Sequence, residues 1–169
     1  MYKFLFWLSS YLPLRIISEG DRPYLERYHL FSLFGVTFDL HRFVSSDPDR
    51  GVHSHPWTWG VSFILCGYYF EEGLYDVKKI TWINFISTNK FHRVMLPREV
   101  VDQGNLRGAA SVESPCWTLF IHPCKGVRRP WGFLRKTGDK GEMAYEVYDD
   151  RTNYKDCVWW KTAKRRGQE

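Results

Sequence analysis

Hydrophobic and polar residues alternate along much of this chain with the period of two that is typical of β-strands. In residues 36–44, apolar side chains such as Phe38 and Leu40 are separated by single polar residues. Residues 52–65 form an apolar, aromatic run, and Pro56 predicts a bend within it because proline has no backbone N–H. The same criteria predict further strands at residues 68–75, 77–86, 91–96, 116–122, 131–134 and 145–148. About eight short strands separated by turn residues, without alternating helices, indicate an all-β sandwich or barrel.

The two ends of the chain depart from this pattern. Residues 1–17 predict a short amphipathic helix that is too short to span a bilayer and carries no signal-peptide cleavage site. This helix either packs on the protein or lies on a membrane surface. Residues 24–33 fit a strand or a short helix, and the segment of residues 98–114 is polar, contains glycine and includes a loop. Residues 153–169 predict a polar, basic tail, with a short helix around residues 157–164.

The composition is that of one globular domain. A chain of 169 residues can bury its own core, so we assign residues 1–169 to a single domain with a barrel core at about residues 36–148. Hydrophobic residues make up 44% of the chain and charged residues 25%, as in soluble proteins. Aromatic residues reach 18%, which suits a β-rich protein with a wide, aromatic-walled interior.

The net charge of +5 is partly local. Basic residues cluster in segment 125–129 and in the tail, at Lys161, Lys164, Arg165 and Arg166. Acidic residues are interspersed through the rest of the chain, so we expect no nucleic-acid partner.

The cysteines predict free thiols. Cys66, Cys116, Cys124 and Cys157 form neither a C-x-x-C pair nor a dense framework. We therefore expect a reducing compartment, and a cytoplasmic location. The chain also lacks a glycine-rich phosphate loop, so nucleotide hydrolysis has no support.

Three histidines are the strongest sign of chemistry. His53 and His55 are one residue apart, and residues on a strand with that spacing share a face. His92 follows a predicted turn at residues 87–90 and begins a later strand. Imidazole suits Fe(II), Zn, Ni and Mn, so these three side chains predict a divalent metal site at the mouth of a barrel.

The first histidine pair resembles the first sequence motif of the cupin superfamily, a group of jelly-roll barrels that hold a metal in the barrel mouth. In that motif a glutamate ligand follows the H-x-H pair by a few residues, and a glycine comes later. His53, His55 and Gly67 match the motif. Gly60 stands at the glutamate position, so the carboxylate ligand is missing.

The second motif of the superfamily places a histidine three residues after a glycine in a tight turn. Asn89 and His92 match it, with asparagine replacing glycine at a position that needs left-handed backbone geometry. Leu96 departs from the family's asparagine. The resemblance covers residues 36–134 and implies a cupin-like double-stranded β-helix.

Within the superfamily, a three-histidine iron site resembles that of thiol dioxygenases. The resemblance implies a metal-dependent enzyme, a mononuclear non-haem Fe(II) dioxygenase acting on a small anionic molecule. Those enzymes also carry an arginine for the substrate carboxylate and a tyrosine near the metal. Arg42 and Tyr69 are the candidates for these roles, although neither matches by motif.

Other side chains could complete the site. His41 and His122 lie on predicted strands and could each serve as a fourth ligand, a proton shuttle or a structural histidine. Trp57 and Trp59 keep the parity of the first histidine pair, so they could wall a substrate pocket or pack in the core.

Three more polar side chains are predicted to lie outside the site. Glu71 and Glu72 could supply a carboxylate, but their position before Gly73 predicts surface exposure at a turn. His29 has no supporting context and is interpreted as structural.

Two other functions remain open at this stage. One is a cupin isomerase, epimerase or lyase acting on a sugar or small acid, with His41, His92 or His122 as the general base. The other is a non-enzymatic module that binds a small ligand or a partner. An exposed edge strand also makes a homodimer plausible.

Overall fold

Fourteen strands and one α-helix make up the part of the chain that the computed structural model describes, residues 1–101, 110–124, 130–137, 142–149 and 158–168. The expected all-β fold with a short N-terminal helix is confirmed. The elements are α1 (Tyr2–Ser9), β1 (Leu14–Glu19), β2 (Arg22–Leu33), β3 (Val36–Phe43), β4 (Val52–His53), β5 (Trp59–Cys66), β6 (Tyr69–Glu72), β7 (Val77–Ile80), β8 (Ile83–Ser87), β9 (Arg93–Met95), β10 (Arg98–Val101), β11 (Ala110–Glu113), β12 (Cys116–Pro123), β13 (Trp131–Thr137), β14 (Glu142–Asp149) and a 3-10 helix (Trp159–Lys161).

Two layers of antiparallel strands enclose a cavity. One layer is a six-stranded sheet in the order β1-β2-β3-β12-β5-β8. The other contains the sheets β14-β13-β4 and β7-β6-β9, which meet where His53 and His92 form an isolated bridge. Residues of both layers, such as His41 and Phe133, line a shared cavity of about 260 Å³.

The six-stranded sheet carries both polar and apolar side chains on its cavity side and an apolar cluster on its outer side. Along β3, Thr37 and His41 line the cavity. Leu40 points the other way and packs with Tyr28, Trp117 and Leu5 of α1. The helix therefore covers part of the outer face, and the alternating pattern of β3 places its polar side chains inside.

The N-terminal helix is shorter than predicted. α1 ends at Ser9, and residues 14–17, predicted to be helical, belong to β1, which pairs with β2. Pro13 explains the change, because proline disfavours helical geometry in the residue before it and cannot continue a helix. The undecided residues 24–33 belong to β2. The sheet thus begins before the predicted core boundary at residue 36.

One other strand prediction was wrong. The strand predicted at residues 77–86 is two strands, β7 and β8, separated at Trp82, whose side chain is 75% exposed. The segment of residues 98–114, predicted to include a loop, also contains β10 and β11, which pair with each other. The β-branched valines at positions 100, 101 and 112 favour these strands.

The C-terminal segment, as far as it is described, packs on the protein. The backbone N–H of Leu14 donates to the carbonyl of Lys164 at 2.8 Å, and Pro13 bridges to Arg165. The ring of Trp160 stacks on His29 with centroids 4.5 Å apart. The basic segment 125–129 and Cys157 lie outside the described residues.

Two further observations concern the thiols and the helices. Cys66 and Cys116 are free thiols. Among the described residues, no helix has the length and apolar character needed to cross a bilayer.

Candidate metal centre

Two of the three histidines are held by backbone pairing. His53 ends β4, and its N–H donates to the carbonyl of His92 at 2.9 Å, while the N–H of His92 donates back at 3.0 Å. The bridge places the two side chains side by side, because residues opposite each other in antiparallel pairing share a face.

His55 reaches the same place by a different route from the predicted one. β4 ends at His53, so His53 and His55 do not share a strand as the sequence suggested. Residues 54–58 are irregular, and the proline at 56 cannot donate to a ladder. The ring of His55 is instead positioned by stacking on Trp57, with centroids 4.0 Å apart and planes 19° apart.

The three imidazoles converge. One ring nitrogen from each of His53, His55 and His92 lies within 4.8 Å of the others, and the Nε2 atoms of His55 and His92 are 2.7 Å apart. Three atoms with these separations lie within about 3 Å of a common centre, so small movements would give metal–nitrogen bonds of roughly 2.0–2.1 Å. This group could hold a metal ion.

Their protonation suits metal binding. Burial lowers the pKa of His53 to about 3, with the nearby His92 adding to the effect. Burial also lowers the pKa of His55 well below its ordinary value, helped by His53 and His92. Both rings are therefore neutral near pH 7, and neutral imidazole is the form that ligates metals.

Glu71 orients His92 from behind. Its Oε1 atom lies 2.6 Å from Nδ1 of His92, and its Oε2 atom lies 2.6 Å from Nζ of Lys90. Asn84 also donates to Oε1, at 2.7 Å. Burial alone would raise the pKa of Glu71, but the hydrogen bonds from His92, Lys90 and Asn84 lower it to about 2. The ionised carboxylate accepts the Nδ1–H of His92, so the Nε2 lone pair points towards the other histidines.

The prediction that Glu71 is exposed at a turn was wrong, since the residue is 4% exposed. The available signal was parity, because Tyr69 and Glu71 are two apart on β6 and both are buried. Glu72 faces the other way and pairs with Arg93.

Replacing Glu71 with glutamine is expected to weaken metal binding about 10–100-fold, because His92 loses the charged acceptor that fixes its tautomer and raises its basicity. Calorimetric titration with Fe(II) under argon measures this. Glu72→Gln is the matched control and should bind like the unaltered protein. Equal affinities for the two variants would contradict the assigned role of Glu71.

The position where a cupin glutamate would stand is filled by an aromatic ring. A Cβ atom on Gly60 would lie 2.8 Å from Cζ of Phe120. Phe120 is itself packed against His41 and Trp57, with centroids 4.8 and 5.2 Å away. A side chain at position 60 therefore has no room, and the donor set consists of three imidazoles without a carboxylate.

Gly60→Ala is expected to reduce the free energy of unfolding by about 1–3 kcal/mol, because the added methyl group overpacks the Phe120 ring. Urea denaturation followed by tryptophan fluorescence measures the change. Adding Phe120→Leu should recover part of the loss. If Gly60→Ala alone were as stable as the unaltered protein, the Phe120 ring would have to move aside without cost.

A second polar cluster lines the same cavity on the six-stranded sheet. The Nε–H of Arg27 donates to Nε2 of His41 at 3.1 Å. Asp39 is fully buried, with Oδ1 3.1 Å from Nδ1 of His29 and Oδ2 3.5 Å from Nε2 of His122. The ring of Trp57 separates this cluster from the three histidines, since its centroid lies 5.3 Å from that of His122.

Burial and neighbouring side chains set the protonation states of Asp39 and His41 in this cluster. Burial raises the pKa of Asp39, but its contacts with His122, His29 and Arg27 outweigh burial and hold it well below the ordinary range. Burial and the charge of Arg27 lower the pKa of His41 well below its ordinary value. Asp39 is therefore ionised and His41 is neutral near pH 7.

The structure brings some predicted site residues to the cavity and places others elsewhere. His41, His122, Tyr69 and Trp57 line it, although the metal-binding group found among the described residues does not include the first two. The hydroxyl of Tyr69 accepts a hydrogen bond from Asn84 at 3.0 Å, and burial raises its pKa.

Arg42 does not reach the cavity. It lies on the outer face of the sheet, where its Nη1 donates to Glu26 and its Nη2 donates to the Tyr2 hydroxyl at 3.0 Å. Trp59 is also absent from the cavity wall and is 40% exposed, because the irregular residues 54–58 break the parity that Trp57 and Trp59 were expected to share. The arginine of β2 that reaches the cavity is Arg27, from the segment whose structure the sequence left undecided.

Solved structures of similar fold include three bacterial proteins. A cupin-2 domain from Rhodospirillum rubrum matches with a TM-score of 0.51 and 12% identity, over 77% of this chain and 78% of that chain. A cupin 2 conserved barrel domain protein from Rhodopseudomonas palustris gives 0.49 and 10%, over 73% and 78%. A predicted oxalate decarboxylase from Thermotoga maritima gives 0.47 and 16%, over 68% and 95%.

The likeness to the Rhodospirillum rubrum domain shows a cupin-like fold. No protein-family model and no curated protein matches the sequence. At such low identity the fold says nothing about the reaction, so the expected likeness to thiol dioxygenases stays a prediction.

Proposed function

We propose that this protein is a metal-dependent enzyme, a mononuclear non-haem Fe(II) dioxygenase that acts on a small anionic molecule. The observation that supports it is the convergence of His53, His55 and His92, with the ring of His92 anchored by Glu71, beside an enclosed cavity. A non-enzymatic binding module without metal would not need this convergence.

The donor set fits a divalent ion of borderline softness. Three imidazoles suit Fe(II), Zn and Ni, and Mn stays a further candidate. When bound, Fe(II) would supply the Lewis acidity and the one-electron chemistry with O₂ that protein side chains lack. Because no carboxylate replaces an imidazole, the three side chains leave the charge of the ion uncompensated, which favours an anionic substrate.

The cavity provides the second half of the substrate site. Arg27 lines it together with the metal-binding group, and a guanidinium can bind a carboxylate through two parallel hydrogen bonds. The aromatic rings of Trp57 and Phe120 lie between these two ends and limit the access of water. A volume of about 260 Å³ suits a ligand of a few carbon atoms with polar groups at both ends.

The test combines metal loading with oxygen uptake. The protein is loaded anaerobically with Fe(II), and O₂ consumption is followed with a panel of small thiols and carboxylates. We expect one metal ion per chain and uptake with at least one acid. Failure to bind Fe(II) at micromolar concentration, or no uptake with any acid or thiol of the panel, would refute the proposal.

Arg27→Met tests the anion site in the same assay. Removing charged hydrogen bonds to a carboxylate should raise KM more than about tenfold, while the stoichiometry of bound Fe(II) stays the same. Arg42→Met, on the outer face, is the matched control and should leave KM unchanged.

A second candidate is a cupin isomerase, epimerase or lyase. The observation in its favour is the pairing of His122 with the ionised Asp39 inside the cavity, which could hold a general base in place. Turnover of a sugar or small acid under argon would favour this candidate. Strict dependence of turnover on O₂ would favour the dioxygenase.

A further inference from the structure

The helix α1 exposes a stripe of apolar side chains. Met1, Phe4, Trp7 and Tyr11 are 76%, 55%, 56% and 55% exposed. The rings are in contact along the stripe, with centroids 5.9 Å apart for Phe4 and Trp7 and 5.2 Å apart for Trp7 and Tyr11. The opposite side of the helix packs on the sheet through Leu5. The helix thus carries large apolar side chains on its outer side as well as on its packed side, and among the described residues nothing covers the outer stripe.

The fold brings the basic end of the chain to this helix. Arg166 lies over the ring of Phe6, with Cζ 3.7 Å from the centroid, and its Nη2 donates to the Phe6 carbonyl. The hydrogen bond from Leu14 to Lys164 and the bridge from Pro13 to Arg165 fix the same segment. Sequence alone gives no reason to place residues near 165 beside residues near 6.

The excess charge of the protein is concentrated here. Residues 1–14 and 158–168 contain five of the 24 lysine and arginine residues and none of the 19 aspartate and glutamate residues. The rest of the chain holds 19 of each sign, so this one surface carries the net charge of +5. Glu26, the nearby carboxylate, is paired with Arg42. Lys161, Lys164 and Arg165 are exposed.

We propose that the exposed stripe of α1 and the docked basic segment together form a surface that binds anionic lipid membranes. Aromatic side chains settle at the level of lipid headgroups, and lysine and arginine are attracted to anionic headgroups. The helix has only eight residues, so it lies on the membrane and does not cross it.

Charge argues against a second copy of this chain as the occupant. A two-fold interface would bring this patch against itself, and five cations would face five cations without an acidic residue in either segment. An anionic bilayer instead satisfies both features of the surface at once.

The test is co-sedimentation of the full chain with vesicles. Vesicles that contain phosphatidylserine in phosphatidylcholine should bind the protein at least tenfold more tightly than pure phosphatidylcholine vesicles. The double variant Lys164→Glu/Arg165→Glu should lose more than about tenfold on the anionic vesicles, since each basic residue near the surface contributes about fivefold. Phe4→Ala/Trp7→Ala should weaken binding by a similar factor.

Matched controls carry the same changes elsewhere. Trp82 is 75% exposed, and Lys78 and Lys79 are exposed on β7. Trp82→Ala and Lys78→Glu/Lys79→Glu should bind vesicles within about twofold of the unaltered protein. All variants alter exposed side chains, and Fe(II) titration reports independently on the metal centre.

Four results would overturn the proposal. They are no binding to anionic vesicles, equal binding to neutral vesicles, control variants that lose as much as the patch variants, and a dimer in solution that Phe4→Ala/Trp7→Ala dissociates. Tighter binding to a single-stranded oligonucleotide than to anionic vesicles would also overturn it.

Discussion

Replacing His55 with alanine is expected to lower metal affinity by more than about 100-fold. Loss of a residue that only supports a ligand costs 10–100-fold, and His55 would be a ligand itself. Its Nε2 atom lies 2.7 Å from that of His92. The group found among the described residues has three members, so no other side chain of the group can take the place of His55. Elemental analysis after Fe(II) loading and desalting should fall from one ion per chain to almost none.

His29→Ala is the control for this experiment. His29 is also a buried histidine, but it contacts Asp39 and Trp160 and lies outside the metal-binding group. Its variant should keep a full equivalent of Fe(II) even if its melting temperature falls. If the His55 variant held as much metal as the His29 variant, the three-histidine centre would be wrong.

The sequence predicted those strands whose hydrophobic residues follow a clear periodic pattern. β3 and β12 were located within one or two residues, because alternation on β3 and a continuous apolar run on β12 are strong signals. Alternation predicts a strand and its two faces, but it does not show which face points into the interior. On β3 the polar side chains of Thr37 and His41 line a cavity, and the apolar Leu40 faces α1. Which side is inside depends on what covers the other side.

The same limit explains the arginines. Arg42 and His41 are neighbours, so only one of them can face the cavity, and the sequence does not say which. Arg27 reaches the cavity because β2 pairs with β3 in the register that sets Arg27 opposite His41. The two-residue turn at Phe34 and Gly35 starts that register, and a bulge between His29 and Phe31 shifts it by one residue, which the sequence does not indicate.

The ligands themselves were accessible because the short motifs around His53 and His92 resemble those of a known superfamily. The residues that surround these ligands could not be predicted from the sequence. Glu71 meets His92 through the pairing of β6 with β9. Phe120 meets Gly60 through the packing of distant segments. Both are long-range contacts, which a single sequence does not encode locally.

Trp117→Ala is expected to reduce the free energy of unfolding by about 3–5 kcal/mol, because it empties the space of a large, fully buried side chain. The ring stacks on Tyr28 with centroids 6.0 Å apart and meets the edge of Tyr2 of α1 at 6.1 Å. Urea denaturation measures the loss. If the alanine variant does not fold, Trp117→Phe should show a smaller loss in the same direction.

The value of this variant is that it separates stability from the site. Trp117 packs on the outer face with Leu40 and Leu5, whereas Trp57 lines the cavity beside His55. Folded Trp117→Phe should therefore bind Fe(II) with unchanged affinity, and Trp82→Ala, at an exposed position, should change stability by no more than about 0.5 kcal/mol. A loss of metal affinity in Trp117→Phe would mean that the outer core and the metal centre are coupled through β12. The outer face of the sheet would then not be purely structural, and its role could not be separated from that of the cavity side.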